Sequence, residues 1–323
     1  MVQNPKQLYN IMIHILLCTD NNYTMPCGVT MLSISLNNIS KDICFHIFIE
    51  NVDEIDRKKL LDSLQSELHS IQFYEVDSNI LNNLPISTRF RKSIYYRLLL
   101  DNILDKSIER ILYLDSDIIV RDSIEALWNE NIDEYVLGAV LDQSCDDIRN
   151  FNRTKLPYLS DYFNSGVLLI NINKWRAFNI GKRCIKYISE NPESCLYPDQ
   201  DALNVITSNS HKILPLCFNV QAFMFYRECE ILARESYVKD MVAASKFPII
   251  IHYTNACKPW NTKCDHPMVA EFLKYKALTP WKNIPLKRTR GNRIIETAHW
   301  IQELLTKVGL SKPIEKYTLY RDM

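Results

Sequence analysis

The sequence predicts an α/β fold in which helices cover both faces of a Rossmann-like sheet. Two observations point to this class. Strand-like and helix-like segments alternate in the order βαβαβ over the first 76 residues, which is the pattern of a parallel sheet with right-handed crossovers. The first strand-like segment, at 11–18, is also a continuous apolar run, as expected where helices bury both faces of a strand.

Each element of this first half has its own signal. Apolar runs predict strands at 11–18, 43–49 and 71–76, and helices are predicted at 26–36 and 53–68. Pro26 suits the first turn of one helix, and apolar and charged residues recur at helical spacing in the other. A doubly wound half of this kind binds nucleotides beyond the carboxyl ends of its strands.

The second half of the chain is less regular. We predict a polar connector at 77–92, a helix at 93–102 and strands at 111–114, 118–120 and 136–141. A loop at 145–159, an apolar strand within 162–175, a helix at 174–190 that Pro192 stops, a helix start at 197–204 and a short strand at 249–251 complete the prediction.

Length and composition favour one large domain at 1–281 and a tail at 282–323. The 323 residues are 47% hydrophobic, which is enough for a substantial core. With only six glycines and no Gly-rich phosphate motif, phosphate must be bound by side chains or by a metal ion. The 38 basic residues balance 38 acidic ones, so we expect no nucleic acid partner.

Cysteine use and hydropathy predict a cytoplasmic protein. The ten cysteines form no C-x-x-C pair, and the apolar run at 11–18 is short and interrupted by His14, unlike a signal peptide. We therefore expect reduced thiols. No run reaches the roughly 18 to 20 apolar residues of a membrane span, so any membrane contact would be peripheral.

The stretch R-I-L-Y-L-D-S-D-I-I-V-R, at 110–121, is the strongest candidate for chemistry. Asp115 and Asp117 follow an apolar strand, and residues two apart can aim at one point. Two carboxylates converging there suit Mn²⁺ or Mg²⁺, which would neutralise a diphosphate. The alternative is a polar turn between two strands, which an isolated D-x-D usually is.

Three later stretches carry further candidates, each with a plainer alternative. Gly166, in N-S-G, either allows close backbone approach to a ligand or marks a bulge. Asp199 and Gln200 open a helix, where acidic residues commonly serve only as caps. His252 ends a strand six residues before Lys258. It is either structural or a third metal ligand beside a phosphate-binding lysine.

The tail is basic and amphipathic. Residues 282–323 contain nine Lys or Arg against four Asp or Glu, and apolar residues at 293–308 recur at steps of four and three. This pattern predicts a helical extension. It either lies on a membrane surface or packs on the domain, and the sequence favours neither over the other.

Six motifs occur together and in order: I-L-L-C-T-D-N-N-Y, Y-R-L-L-L, I-L-Y-L-D-S-D-I-I-V, Y-F-N-S-G-V-L-L-I-N, Y-P-D-Q-D-A-L-N and H-Y-T-N-A-C-K-P-W. From about residue 12 to 281, the chain resembles retaining glycosyltransferase family eight. C-G-V-T-M-L-S-I-S-L-N-N and T-P-W-K-N are most similar to the bacterial lipopolysaccharide core glucosyl- and galactosyltransferases. The resemblance implies a GT-A fold, with a mixed sheet, a UDP-sugar donor, Mn²⁺ (or Mg²⁺) and transfer with retention of configuration.

The resemblance also implies roles for individual residues. It implies that Asp115, Asp117 and His252 bind the metal ion. Asp20 and Asn22 would bind the uracil and ribose, and Lys258 would bind the diphosphate. The residues that would line the donor sugar are Arg97, Asp142, Asn164, Asp199 and Gln200. Of these, Gln200 and Asp199 are the catalytic candidates. One position departs from the family, because Asn255 stands where members commonly have glycine. Asn tolerates a left-handed backbone better than most residues do, although donor affinity could fall.

The resemblance leaves the particular substrates open. It implies transfer of glucose or galactose to a sugar hydroxyl of the lipopolysaccharide core, at the cytoplasmic face of the inner membrane. Because an amide is a poor nucleophile, we expect front-face substitution in which Gln200 or Asp199 supports a cationic ring. The alternatives are a self-glycosylating or other-acceptor member and a catalytically silent binding relative.

Overall fold

The structure is a computed structural model that describes residues 12–86, 91–156, 161–226 and 235–288. Its strands are β1 Ile13–Asp20, β2 Ile43–Glu50, β3 His69–Glu75, β4 Arg110–Leu114, β5 Ile118–Val120, β6 Leu137–Leu141, β7 Phe163–Asn171, β8 His211–Ile213, β9 Val220–Gln221 and β10 Ile250–His252. The predicted tail helix at 293–308 lies outside the described residues.

The helices lie between these strands. They are α1 Thr24–Asn37, α2 Glu54–Leu61, α3 Leu100–Ile103, α4 Glu125–Trp128, α5 Ile148–Thr154, α6 Ile172–Ala177, α7 Ile180–Glu190, α8 Pro198–Ile206, α9 Glu235–Lys246 and α10 Val269–Lys276. Short 3₁₀ helices span Ser78–Leu81, Lys92–Leu99, Pro192–Ser194, Leu216–Phe218 and Ala222–Phe225.

The central sheet is mixed, and its strand order is β3-β2-β1-β4-β7-β6-β8. Strands β3, β2, β1 and β4 are parallel, which confirms the predicted βαβαβ half. Strand β7 then runs antiparallel to both β4 and β6. A small second sheet, β5-β10-β9, stands beside the first. The predicted α/β class is therefore confirmed.

Three predicted segments differ from the structure. The helix expected to reach residue 68 ends at Leu61, and the Gln65 N–H beyond it donates to Ser35 Oγ of α1 (2.7 Å). The loop expected at 145–159 contains α5, which Asp147 caps by accepting from the Arg149 N–H. The helix expected at 174–190 is two helices, because Asn179 between them is left-handed at φ 51°.

Another difference concerns the segment that carries Arg97. The sequence predicts a helix at 93–102, and the structure forms a 3₁₀ helix at Lys92–Leu99 that continues into α3. A 3₁₀ helix has three residues per turn, so residues three apart lie on one line. Arg97 of this segment is buried, and its guanidinium donates to Asp115 and to the Ser165 carbonyl.

Both faces of the sheet are covered by apolar side chains. One layer contains α1, with Val29, Leu32 and the β-strand residues that they contact, and the other contains Trp175 of α6 and the 3₁₀ helix at Lys92–Leu99. Gly28 of α1 lies against Trp281, whose ring would be 2.2 Å from an added Cβ. Among the described residues, no helix is long and apolar enough to cross a membrane.

The turn between β4 and β5 is held by the first strand and the first helix. Ser116 Oγ donates to the Cys18 carbonyl of β1 (2.9 Å). Thr30 Oγ1 of α1 can donate to the carbonyl of Ser116 (3.1 Å) or of Ile118 (2.8 Å). These buried hydrogen bonds fix the D-S-D turn at the carboxyl ends of the parallel strands.

Candidate functional site

Asp115, Asp117 and His252 meet at the junction of the two sheets. His252 Nε2 lies 3.4 Å from Asp115 Oδ2 and 3.3 Å from Asp117 Oδ1, and the three ligand atoms lie within 4.8 Å of one another. His252 belongs to β10, which pairs with β5 just beyond the two aspartates. Two carboxylate oxygens and one imidazole nitrogen form a donor set that could hold a divalent metal ion.

Gly166 is the point where β7 approaches this cluster. An added Cβ would lie 2.1 Å from His252 Cε1 and 2.8 Å from Asp115 Oδ2, so no side chain fits there. The pairing of β6 with β7 also shifts register at Ala139/Val140. Close approach and a bulge therefore coexist, and the approach is to the candidate metal ligands.

Positive side chains balance the two buried carboxylates. Asp115 Oδ1 accepts from Arg97 Nη2 (2.7 Å) and from the Tyr113 hydroxyl (2.6 Å), and Asp117 Oδ2 accepts from Lys258 Nζ (2.7 Å). Burial alone would raise the pKa of each carboxyl. Arg97 and His252 together outweigh burial at Asp115, and Lys258 and His252 together outweigh it at Asp117, so both pKa values lie below the usual range.

The same two aspartates change the pKa of the His252 imidazole. Burial tends to lower the pKa of His252, but Asp117 and Asp115 outweigh burial and raise that pKa to about 9. The ring lies where positive charge is favoured. A divalent cation bound between these groups would neutralise the two carboxylates in the same way.

A chain of amides fixes the orientation of the His252 ring. The Gly166 N–H can only donate, so the Asn164 oxygen accepts from it (3.0 Å) and also accepts from Asn219 Nδ2 (2.9 Å). The Asn219 oxygen is thereby left to accept from His252 Nδ1–H (3.0 Å). In the neutral ring, the lone pair of Nε2 then faces Asp115 and Asp117, as a metal ligand requires.

Gln200 is held on all sides by the protein. Its amide oxygen accepts from Asn164 Nδ2 (3.2 Å) and the Ser165 N–H (3.1 Å). Its amide nitrogen donates to Asp142 Oδ2 and to the Tyr162 hydroxyl, both at 3.1 Å. Both lone pairs of the oxygen are therefore engaged.

Asp142 and Asp199 are connected to Gln200 in the hydrogen-bond network, through a direct bond and through Ser165 respectively. Asp142 accepts from the backbone N–H and hydroxyl of Ser144 and from the side-chain nitrogens of Asn164 and Gln200. Asp199 Oδ2 lies 3.3 Å from Arg97 Nη1 and accepts from a serine hydroxyl. Burial raises the pKa of Asp199 despite Arg97.

Asp201, the second aspartate of P-D-Q-D, has a structural role. It is fully buried and accepts from the Tyr162 hydroxyl (2.6 Å) and from the Tyr197 N–H at the start of α8 (2.8 Å). Arg153 of α5 also donates to its carboxylate. Asp201 therefore holds the start of α8, whereas Asp199 contacts Arg97, which also contacts Asp115.

Asp20 and Asn22 lie at the end of β1. Asp20 Oδ1 accepts from the Asn22 N–H (2.8 Å), and Arg91 Nη1 lies 3.9 Å from Asp20 Oδ2. Tyr23 lies close enough to both Asp20 and Asp117 to be affected by their charges. Burial raises the pKa of Tyr23 to about 12, and the charges of Asp117 and Asp20 add to the shift. The Asn22 side chain is exposed, so this corner faces solvent.

Lys258 and Asn255 lie on the loop that follows β10. Lys258 Nζ donates to the Tyr253 carbonyl (2.6 Å) as well as to Asp117, which holds the ammonium at the cluster. Asn255 is exposed. Among the described residues, those with positive φ other than glycine are Asn51, Lys155 and Asn179. Asn255 therefore has an ordinary backbone conformation, and the left-handed strain considered from the sequence is absent.

Tyr113, Tyr23 and Asn219 are among the site residues that were not predicted. Tyr113 could have been found, because it lies two residues before Asp115 on the same strand face. Tyr23 lies within the T-D-N-N-Y motif, directly after the candidates Asp20 and Asn22. Asn219 gave no signal, because it precedes a two-residue strand and acts through tertiary contacts with His252 and Asn164.

The fold is that of the GT-A class of glycosyltransferases. The galactosyltransferase LgtC, solved in complex with donor and acceptor sugar analogs, matches the fold with a TM-score of 0.76 and 24% identity, over 83% of this chain and 96% of that chain. The sequence profile of "Glycosyl transferase family 8" matches residues 14–264. The chain belongs to that family, as its motifs predicted.

Relatives of known sequence extend over most of the chain. General stress protein A of Bacillus subtilis (strain 168) is 30% identical over 84% of this chain and 96% of its own length. The lipopolysaccharide glucosyltransferase WaaO of Escherichia coli (strain K12) is 30% identical over 96% of this chain and 91% of its own. The lipopolysaccharide 1,3-galactosyltransferase of Salmonella typhimurium is 29% identical over 83% and 78%.

Replacing Asn219 with leucine should weaken Mn²⁺ binding by about 10- to 100-fold, because the ring of His252 loses the acceptor that orients it. Asn219→Asp retains an acceptor for the Nδ1–H and should keep most of the affinity. Titration of Mn²⁺ followed by the electron paramagnetic resonance signal of the free ion measures both. Equal affinities for the leucine variant and the wild type would show that the ring needs no such support.

Proposed function

We propose that the chain transfers glucose or galactose from a UDP-sugar to a sugar hydroxyl of the lipopolysaccharide core, forming an α-glycosidic bond with retention of configuration. The observation that supports this most is the buried cluster of Asp115, Asp117 and His252 with Lys258 at its edge. Its position beyond the carboxyl ends of the parallel strands is where nucleotides bind in such sheets. Similarity to WaaO over 96% of the chain supports the acceptor class.

The donor set of the cluster fits Mn²⁺, with Mg²⁺ as the alternative ion. Bound to Asp115, Asp117 and His252, the ion would supply Lewis-acid charge to the diphosphate. Lys258 adds an ammonium beside the same oxygens. Asp20 and Asn22, at the end of β1, are the groups that we assign to ribose and uracil.

The arrangement around Gln200 supports front-face substitution. Cleavage of the bond from C1 to the diphosphate leaves positive, oxocarbenium-like charge on the sugar ring. Both lone pairs of the Gln200 oxygen already accept protein hydrogen bonds, so it lacks a free pair to attack C1. We infer that its oriented dipole and the Asp199 carboxylate stabilise the ring, while the departing phosphate accepts the acceptor proton.

The sugar-binding groups form one rigid set. Asp142 has four protein donors, so its main contribution to donor binding would be to hold Gln200 and Asn164. Arg97, which bridges Asp115 and Asp199, would fix the distance between the diphosphate and the sugar. This rigidity is what an enzyme that stabilises developing charge requires.

We assign the acceptor side to the segments at 77–92 and 143–160. The described part of the second segment contains α5, whose Arg153 donates to Asp201 on the helix that carries Gln200. This link makes α5 the nearest candidate wall for the acceptor pocket.

Donor turnover tests the proposed function. With Mn²⁺ present, we expect hydrolysis of UDP-glucose or UDP-galactose, and Asp117→Asn should lower it by at least about 100-fold because a metal ligand is lost. Asp122→Asn, an exposed aspartate just after β5, is the matched control and should retain activity. UDP release measured for each donor identifies the sugar.

Two outcomes would contradict this function. UDP binding without turnover of either donor would indicate a catalytically silent relative. A mass increase of the protein itself on incubation with donor would indicate self-glycosylation.

The catalytic role of Gln200 is tested separately. Gln200→Ala should lower kcat by about 10²- to 10³-fold, since one oriented dipole is lost from the transition state. Gln65→Ala, at an exposed side chain four residues beyond the end of α2, is the control. Intact-mass measurement of the wild type during turnover should show no glycosyl adduct. An adduct on Gln200 or Asp199 would replace front-face substitution with a covalent mechanism.

We also propose that the tail at 282–323 contacts the anionic surface of the inner membrane from the cytoplasmic side, because its basic residues suit such a surface. A chain ending at Arg288 retains the backbone hydrogen bonds of Lys287 to Trp260 and Thr262. It should bind anionic vesicles at least about tenfold more weakly than the full chain while donor hydrolysis persists. Equal flotation of the two chains with vesicles would exclude tail anchoring.

A further inference from the structure

A second group of metal-ligating side chains lies at the opposite end of the central sheet. His14 is the second residue of β1, and Cys44 and His46 lie on β2, which is parallel to β1 with His14 opposite Cys44. Alternate residues of neighbouring strands share a face. The ligand atoms of the three side chains lie within 4.8 Å of one another. Cys44 is 2% exposed and His46 1%, whereas His14 is partly exposed.

Hydrogen bonds fix the tautomer of His46. The Tyr74 hydroxyl donates to Gln72 Oε1 (2.5 Å), so its oxygen accepts from His46 Nδ1–H (2.9 Å). His46 Nε2 is then unprotonated in the neutral ring and faces His14 Nδ1 at 2.9 Å. Tyr74 thus supplies the outer hydrogen bond that accompanies most metal-bound histidines.

We propose that His14 Nδ1, Cys44 Sγ and His46 Nε2 bind one Zn²⁺ ion. Imidazole and thiolate are the ligands that Zn²⁺ prefers, and three protein ligands leave a position for water. Tetrahedral bonds of about 2.0–2.3 Å place such ligands roughly 3.3–3.6 Å apart. The two nitrogens at 2.9 Å therefore need to separate by only a few tenths of an ångström. Binding releases the Cys44 thiol proton, and the proton on His14 Nδ1 is exchanged through solvent for one on Nε2 of the same ring, so both imidazoles stay neutral.

The position of this site gives it a structural role. His14 and Asp20 are six residues apart on β1, which at about 3.3 Å per residue is roughly 20 Å along the strand. The ion would tie the beginnings of β1 and β2 together, far from Asp115 and Asp117. Its nitrogen and sulfur donors also differ from the oxygen-rich set at the other end, so the two sites favour different ions.

Cobalt substitution tests this site in the reduced, full-length protein. Co²⁺ bound by a thiolate gives an intense ultraviolet charge-transfer band, and carboxylate sites do not. We expect this band in the wild type, its loss in Cys44→Ser and its retention in Cys257→Ser, which removes a thiol from the Cys257–Cys264–Asp265 group. Absence of the band, or its loss only in Cys257→Ser, would overturn the proposal.

A stability measurement covers the case in which Cys44→Ser folds poorly. In an Asp117→Asn background, which removes the carboxylate site, Zn²⁺ at 100 times its Kd should raise Tm by roughly 5 °C. His14→Gln replaces a partly exposed side chain, and this variant should fold and lose the shift. Equal Zn²⁺-dependent shifts with and without His14→Gln would show that the pair is only a hydrogen-bonded contact.

Discussion

The constraint on which the site depends is the burial of two carboxylates side by side. Asp115 and Asp117 have ligand oxygens within 4.8 Å of each other and of His252 Nε2. At an effective dielectric constant of 20, two charges at that separation repel by about 3 kcal/mol, and burial adds a desolvation cost. The fold can keep both groups ionised only by bringing positive charge to them, and it does so with Arg97, Lys258 and His252.

These positive groups come from separate parts of the chain. Arg97 lies on the 3₁₀ helix that packs against α7, where an added Cβ on Gly181 would lie 2.0 Å from the Leu98 carbonyl oxygen. His252 and Lys258 come from the small sheet and the loop after it. The candidate metal site is therefore complete only when both sheets are packed together. Gly166 is the close contact that this packing requires.

Much of the fold and part of the site could be predicted from the sequence, because the signals were local. The parallel strands are continuous apolar runs, and the D-S-D pair follows one of them directly. Asn219 and the break at Asn179 depend on tertiary contacts that no local pattern records. The helix α5 was missed because its residues are mostly polar and its clearest signal is a single capping aspartate. The antiparallel direction of β7 could not be predicted either, because the apolar pattern of a strand does not indicate which way the strand runs.

The change of strand direction at β7 divides the central sheet into two parts with different proposed roles. On the proposed function, nucleotide groups at Asp20 and Asp115 lie on the parallel half, and sugar groups at Asn164 and Gln200 lie on β7 and the helix beyond it. The two halves meet where β4 pairs with β7, and the Asp115 N–H donates to the Gly166 carbonyl there (2.8 Å). Arg97 connects the same two parts by contacting Asp115 and Ser165. The bond to be broken would then lie over the junction of the two halves, where a small displacement of the groups on either side would change the reacting distance directly.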